Sequence, residues 1–517
     1  MRRPALHLSD LIPDLIARAV DAGTDIGRLG QITITGMSSD SRTIGPGNLF
    51  FAIVGSSSDG RTFARAAVEA GAAAIITDDR ELDADLQALA TEIPLLQAAE
   101  PRAVLANCAA RFWQRQPGMI AAVTGTNGKT STAEFLRQIW ARATWGAASI
   151  GTLGLQGTDP REVKGSMLGL PDLTTPDAVS LHAALQPLTA AGITHLAIEA
   201  SSHGLEQRRL DGLNISVAGF TNLTRDHLDH HPDMEAYFAA KSRLFNDLLM
   251  VGGTAVINTD DPYGARLAKT MKAEADSQQV VLTIGHDSQA DFRIDAITPM
   301  DFGLEIEVTH GETAFRIPVA LAGAFQAMNA VTAAVMAHAS GLALHDSLGA
   351  LPYVNGAEGR MQLVPGHPTG GRIIIDYAHT PDALEAALTA LRPEARGRLA
   401  VLFGAGGDRD PGKRAMMGSI AHEKADLIFV TDDNPRSEDP ANIRAAIMEA
   451  CPNAIEIADR GQAIAAAMQE IGPDDVLLIA GKGHESFQLV GSETLPFSDA
   501  SVARNAIRRL TEMGDAR

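Results

Sequence analysis

Cysteine is nearly missing from this 517-residue chain: Cys108 and Cys451 are the only two, far apart and in no Cys-x-x-Cys pair. That argues against a disulfide framework or a zinc site, and leaves each thiol as a small buried hydrophobe. Aromatic residues make up only 4%. No uninterrupted apolar run approaches the roughly 20 residues that span a bilayer. Behind Met1-Arg2-Arg3, the residues Asp10, Pro13, Asp14 and Arg18 interrupt any signal-peptide core. Internal repeats and low-complexity segments are absent. Positive charge is also short, since 43 Lys and Arg against 63 Asp and Glu give −20. This balance argues against nucleic acid or an anionic membrane as partner. The chain reads as cytoplasmic, with no membrane insertion, and any anionic ligand needs locally concentrated cations.

What is present is ordinary for a globular protein, with 45% hydrophobic and 21% charged residues. The length suggests about three domains, each able to bury a core. The most informative stretch is Thr124-Gly125-Thr126-Asn127-Gly128-Lys129-Thr130. It follows the apolar run 119–123 and precedes a helical pattern over 131–142. In that setting backbone N–H groups and a helix N-terminus converge on anionic oxygens. Lys129 would reach the β- and γ-phosphates of a nucleotide, and the Thr130 hydroxyl would sit on Mg²⁺. The pattern departs from the usual phosphate loop at one place, where Val123 stands for the first glycine.

Strand–helix alternation predicts an α/β fold. A first unit, 1–115, has strands at 49–54 and 73–77 with a helix at 63–70. The second, 116–357, has strands at 119–123, 195–199, 217–221 and 254–258, a mostly parallel sheet. Residues 291–320 within it alternate as antiparallel strands, and a helix at 327–340 closes it. The third, 358–517, has strands at 372–376, 399–403, 427–431 and 476–480 in a doubly wound, Rossmann-like order. Polar, Gly-rich segments follow all four of those strands, where such sheets gather ligands.

The run TGTNGKTST resembles the ATP loop of the Mur ligases, ATP-dependent enzymes that add amino acids to the peptidoglycan precursor. Matching segments extend from Asp40-Ser41-Arg42 to Gly481-Lys482-Gly483-His484-Glu485. The resemblance implies ligation of meso-diaminopimelate to UDP-N-acetylmuramoyl-L-alanyl-D-glutamate, with ATP as co-substrate and two Mg²⁺ ions. A monomer is expected. L-Lysine addition, a folylpolyglutamate synthetase-like ligase, and a nucleotide-gated binding protein are the alternatives.

Carried over residue by residue, the resemblance assigns Thr124 to Thr130, Asn329, Arg360 and Asp376 to ATP. Ser39, Ser41, Ser56, Ser57, Ser58, Thr174, Thr175, Ser201, Gln207 and Arg209 fall to the UDP-substrate. Thr130, Glu199 and His227 would be metal ligands, joined by Lys241 carbamylated by CO₂; Lys129, His227 and Lys241 would carry the catalysis. The amino acid's pocket would be Arg409, Asp433, Asn434, Pro435, Arg436, Gly481 and Glu485. On chemistry alone, a guanidinium is a planar fork that grips a carboxylate, and an acid can receive an ammonium.

Overall fold

The computed structural model describes residues 5–13, 29–55, 58–157, 170–171, 173–226, 230–273, 278–300 and 303–515. Ser56, Ser57 and His227 therefore lie outside the described residues. The chain divides into two compact units: Met1–Lys129, Thr144–Val256 and Arg266–Val281 in one, and Thr130–Ala143, Ile257–Ala265 and Leu282–Arg517 in the other.

In the first unit, β1 (Gly36–Ser38), β2 (Asn48–Ala52), β3 (Ala74–Asp78) and β4 (Leu95–Ala98) form a parallel sheet in chain order. Its strands are apolar on both faces, as a sheet covered on both sides requires. Leu49, Phe51 and Ile76 join one core, and Phe50, Ala52 and Ile75 join another. A second run of strands comprises β5 (Met119–Thr124), β6 (Ala147–Gly151), β7 (Gly154–Gly157), β8 (His195–Glu199) and β9 (Ile215–Phe220). Their order is β7–β6–β8–β5–β9, all parallel except β7. Val123 pairs in register with Glu199 inside β5. The usual glycine is not needed there, because the backbone is still extended strand and a β-branched residue suits it.

In the second unit, β10 (Phe292–Met300), β11 (Gly303–His310) and β12 (Thr313–Val319) pair antiparallel, as the 291–320 pattern implies. The other sheet runs β13 (Gln362–Val364), β14 (Arg372–Asp376), β18 (Val476–Ala480), β15 (Leu399–Phe403), β16 (Leu427–Val430), β17 (Ile455–Glu456). Only β13 is antiparallel. Ile374, Val401 and Leu478 face one core while Ile373, Leu402 and Leu477 face the other, the doubly wound arrangement. No helix among the described residues is long and apolar enough to cross a membrane.

Arg460 opens a helix, Arg460–Glu470, and pairs with Asp499 at 2.7 Å, both side chains fully buried. Its Nη2 also donates to the Ala480 carbonyl at the end of β18. Asp499 and the more distant Asp433 and Glu485 favour its charge against desolvation. Removing one partner strands the other charge. Arg460→Met is therefore expected to cost about 3–5 kcal/mol, read as a lower urea midpoint at unchanged slope. A shift under about 1 kcal/mol would show the pair to be replaceable.

Candidate active site

The phosphate-loop sequence lies at the C-terminal end of β5, and the helix Lys129–Arg142 starts directly after it. The residues following β9 hold the loop's shape. Thr126 N donates to Asn222 O at 2.9 Å and Asn127 N to Asn222 Oδ1 at 3.0 Å. Thr221 Oγ1 donates to Asn127 O at 2.6 Å. Gly125 has φ 151°, and a Cβ there would lie 1.9 Å from Thr221 Oγ1, so no other residue fits. Thr124 Oγ1 donates to Ala200 O at 2.7 Å, tying the loop to the end of β8.

Two lysines converge on this loop. Lys129 Nζ donates to Gly125 O at 2.9 Å and Thr126 O at 2.7 Å. Lys241, from the helix Met234–Arg243, donates to the same Gly125 carbonyl at 2.8 Å. It is 1% exposed and lies over the Tyr237 ring, whose hydroxyl is 3.2 Å from Thr126 Oγ1. Burial, and then the Lys129 charge, push the Lys241 amine well below the usual lysine range, against the pull of Asp226. This favours the neutral form of the Lys241 amine over what an exposed lysine shows.

Glu199 closes β8, buried at 2% exposure. Its carboxylate accepts from Thr152 N at 2.8 Å and Thr152 Oγ1 at 3.3 Å. Thr130 is the second residue of the helix that follows the loop. A carboxylate such as that of Glu199 and a hydroxyl such as that of Thr130 are each hard oxygen donors of the kind magnesium takes.

Around Glu199 the structure brings together all five residues expected to hold the peptidyl part of a nucleotide substrate. Thr174 Oγ1 lies 3.2 Å from Thr152 Oγ1. Thr175 Oγ1 donates to Glu199 O at 2.7 Å and contacts Ser201 Oγ at 3.0 Å. Arg209 Nη1 donates to Thr175 O at 2.7 Å and its Nη2 to Gln207 Oε1 at 2.8 Å. Ser39 and Ser41 follow β1, and Ser58 follows the adjacent β2, so these three share the carboxyl edge of the first sheet.

His203, His230 and His231 place three ring nitrogens within 4.8 Å of one another. His203 and His230, however, stack at 3.7 Å and 23°. Stacked rings hold their lone pairs in parallel planes, so this is a ring stack and not a preformed metal site.

In the second unit, Asn329, Arg360 and Asp376 are linked. Asn329 Nδ2 donates to Gln326 Oε1 and Gln326 Nε2 to Arg360 O, each at 3.0 Å. Asp376 accepts from Met361 N and Ala378 N at 2.8 and 2.9 Å. Desolvation pushes its carboxyl up, opposed by the Arg360 charge and those N–H groups.

The strand ends of β15, β16 and β18 carry a second cluster. Arg409 is exposed on the loop after β15. Arg436 has φ 52°, donates through Nη1 to Gly407 O at 2.7 Å and is pinned by Arg436 N to Leu489 O at 3.1 Å. Asp433 is 8% exposed, and its Oδ2 has no partner among the described residues. Gly481, with φ 114°, would place a Cβ 2.6 Å from that oxygen. Pro435 shapes the turn between Asn434 and Arg436, its carbonyl accepting from Glu438 N at 3.1 Å. Asn434 and Glu485 bond each other at 2.9 Å. The sequence reading passed over Lys482, which is wholly buried against both. Its only advance signal was its place inside the quoted Gly-Lys-Gly-His-Glu segment.

Loop, parallel strand and following helix define a phosphate-loop α/β protein with a charged cluster at the edge of its doubly wound sheet. Family models match along most of the chain: "Mur ligase family, catalytic domain" over 33–113, "Mur ligase middle domain" over 123–337, and "Mur ligase, glutamate ligase domain" over 359–483. The UDP-N-acetylmuramoyl-L-alanyl-D-glutamate–2,6-diaminopimelate ligase of Bradyrhizobium diazoefficiens is 47% identical, covering 93% of this chain and 96% of that protein. Its Agrobacterium fabrum counterpart is 45% identical, over 94% and 95%. A solved structure of a ligase of that name matches with a TM-score of 0.72 at 32% identity, covering 98% of this chain and all of that one. The chain belongs to the Mur ligase family, the ATP-dependent ligases that form amide bonds.

Proposed function

We propose that the protein adds meso-2,6-diaminopimelate to UDP-N-acetylmuramoyl-L-alanyl-D-glutamate at the expense of ATP, in the cytoplasm and as a monomer, for peptidoglycan synthesis. The γ-phosphoryl of ATP passes to the D-glutamyl side-chain carboxylate and ADP leaves. The amine of diaminopimelate then attacks the acyl phosphate, the amide forms, and phosphate and a proton depart. No enzyme nucleophile is required, so the protein positions groups and neutralises charge.

Lys129 and the loop 124–130 meet the phosphates, and Asn329, Arg360 and Asp376 take the adenine and ribose side. Ser39, Ser41, Ser56, Ser57 and Ser58 hold the uridine diphosphate; Thr174, Thr175, Ser201, Gln207 and Arg209 hold the peptidyl part. Magnesium, held by Thr130, Glu199, His227 and carbamylated Lys241, would neutralise charge on the transferring phosphoryl. The domains proposed are 1–115, 116–357 and 358–517, binding the UDP-substrate, ATP and the amino acid in turn.

The observation that carries the choice of amino acid is Arg436. Its guanidinium is fixed by Nη1 to Gly407 O, and a planar guanidinium is a donor suited to a carboxylate. Diaminopimelate has a distal carboxylate that L-lysine lacks, and a partly buried guanidinium left without its anion is penalised. Arg436→Ala is expected to raise KM for diaminopimelate roughly ten- to hundredfold, leaving KM for ATP within about twofold. Phosphate release with the UDP-dipeptide and diaminopimelate, L-lysine or L-glutamate in turn is the assay. Efficient use of L-lysine by the unmodified protein would overturn the choice of amino acid and leave the ligase reading standing.

A further inference from the structure

Lys482 follows β18 with its side chain fully buried. Its Nζ donates to Asn434 Oδ1 at 3.0 Å and to Glu485 Oε2 at 3.0 Å. Asn434 Nδ2 donates to the same Oε2 at 2.9 Å, closing a triangle, and Leu489 N donates to Asn434 Oδ1 at 2.9 Å.

This triangle leaves little choice in how the amide of Asn434 is turned. Its oxygen accepts from two donors, which fills both lone pairs. The flipped amide would face its NH₂ against the Lys482 ammonium and the Leu489 N–H, two donors against donors. One N–H of Asn434 is used on Glu485, so the amide has a single group left to offer, and it is a donor. Glu485 is likewise divided: Oε2 is occupied by Lys482 and Asn434, and only Oε1 remains.

We infer that Lys482 is the positioning residue that makes this cluster select an amino-acid end carrying a carboxylate beside an ammonium, rather than a lone ammonium. The inference rests on the function proposed above. Lys482 does not reach the ligand itself. It fixes Asn434 as a donor, suited to the carboxylate, and balances Glu485 so that one oxygen receives the ammonium without an excess of negative charge. At its distal end meso-diaminopimelate has both groups and L-lysine only the ammonium. Without Lys482 the amide loses one of the two donors that fix its oxygen inward and Glu485 gains an unbalanced charge, changes that penalise the carboxylate and favour the bare ammonium.

The test is steady-state phosphate release with the UDP-dipeptide, comparing wild type, Lys482→Met and Asn434→Asp. Lys482→Met keeps the length and removes the charge. Asn434→Asp keeps an acceptor for Lys482 and Leu489 and removes the amide N–H groups, both the outward one and the one bonded to Glu485, so it serves if loss of the buried ammonium impairs folding. Both variants are expected to raise KM for diaminopimelate at least thirtyfold with KM for ATP within twofold. The diaminopimelate-to-lysine ratio of kcat/KM should fall at least tenfold. A merely structural role would raise all KM values together, or leave that ratio unchanged, and either result overturns the inference alone. A wild-type protein that uses L-lysine and not diaminopimelate overturns the proposed amino acid and the inference with it.

Discussion

Lys129→Ala is expected to lower turnover by about 10³-fold or more, with the unfolding midpoint nearly unchanged. Lys129 Nζ rests on the Gly125 and Thr126 carbonyls of its own loop, within reach of whatever the loop encloses. Those bonds are to neutral acceptors, and phosphate oxygens with full charge compete for the ammonium strongly. Phosphoryl transfer depends on cations placed where charge is redistributed, so loss of this one falls on kcat. The fold loses little, because bonds from Asn222 and Thr221 hold the loop without it. Phosphate release measured beside a thermal melt separates the two effects. A folded Lys129→Ala protein with near-normal release would remove the phosphate-loop assignment.

The loop was legible in the sequence because its signals are local: strand, two glycines, lysine and helix start fall within a dozen residues. The doubly wound sheet was legible for a similar reason. Four apolar runs, each followed by polar residues, fix which strand ends carry the cluster around Arg436. Val123 was the exception to the loop pattern, and pairing with β8 explains it. What escaped depends on distant residues. Lys241 reads alone as a solvated helix lysine, yet it is buried on Gly125, 116 positions earlier in the chain. The burial of Lys482 against Asn434, 48 positions away, is equally invisible to periodicity. The Arg460–Asp499 pair spans 39 positions and carries no motif. Resemblance pointed to Lys241, whereas only packing points to the other two.

Lys241→Ala is expected to be nearly inactive and partly restored by a small carboxylate such as acetate. The basis is the state of the amine. Burial and the neighbouring Lys129 charge drive its pKa well below the usual lysine value. The neutral amine is the form that attacks CO₂, giving a carbamate and releasing a proton. At an ordinary surface lysine, protonated at neutral pH, that reaction has little neutral amine to draw on. Carbamylation also places an anion beside the Lys129 ammonium, where two lysine amines otherwise share one carbonyl. The new carboxylate would add a hard oxygen donor to those of Glu199 and Thr130. Exogenous acetate can occupy the space vacated in the alanine variant and supply the same oxygens, although without the tether, so recovery is partial. The pH dependence has a definite sign: acidification protonates the amine and withdraws the carbamate, so activity falls on the acid side and is regained with bicarbonate. Mass spectrometry under native conditions and activity in CO₂-depleted buffer, with and without bicarbonate, read this directly. An active crystal with metal and nucleotide bound and an unmodified Lys241 amine would defeat the proposal.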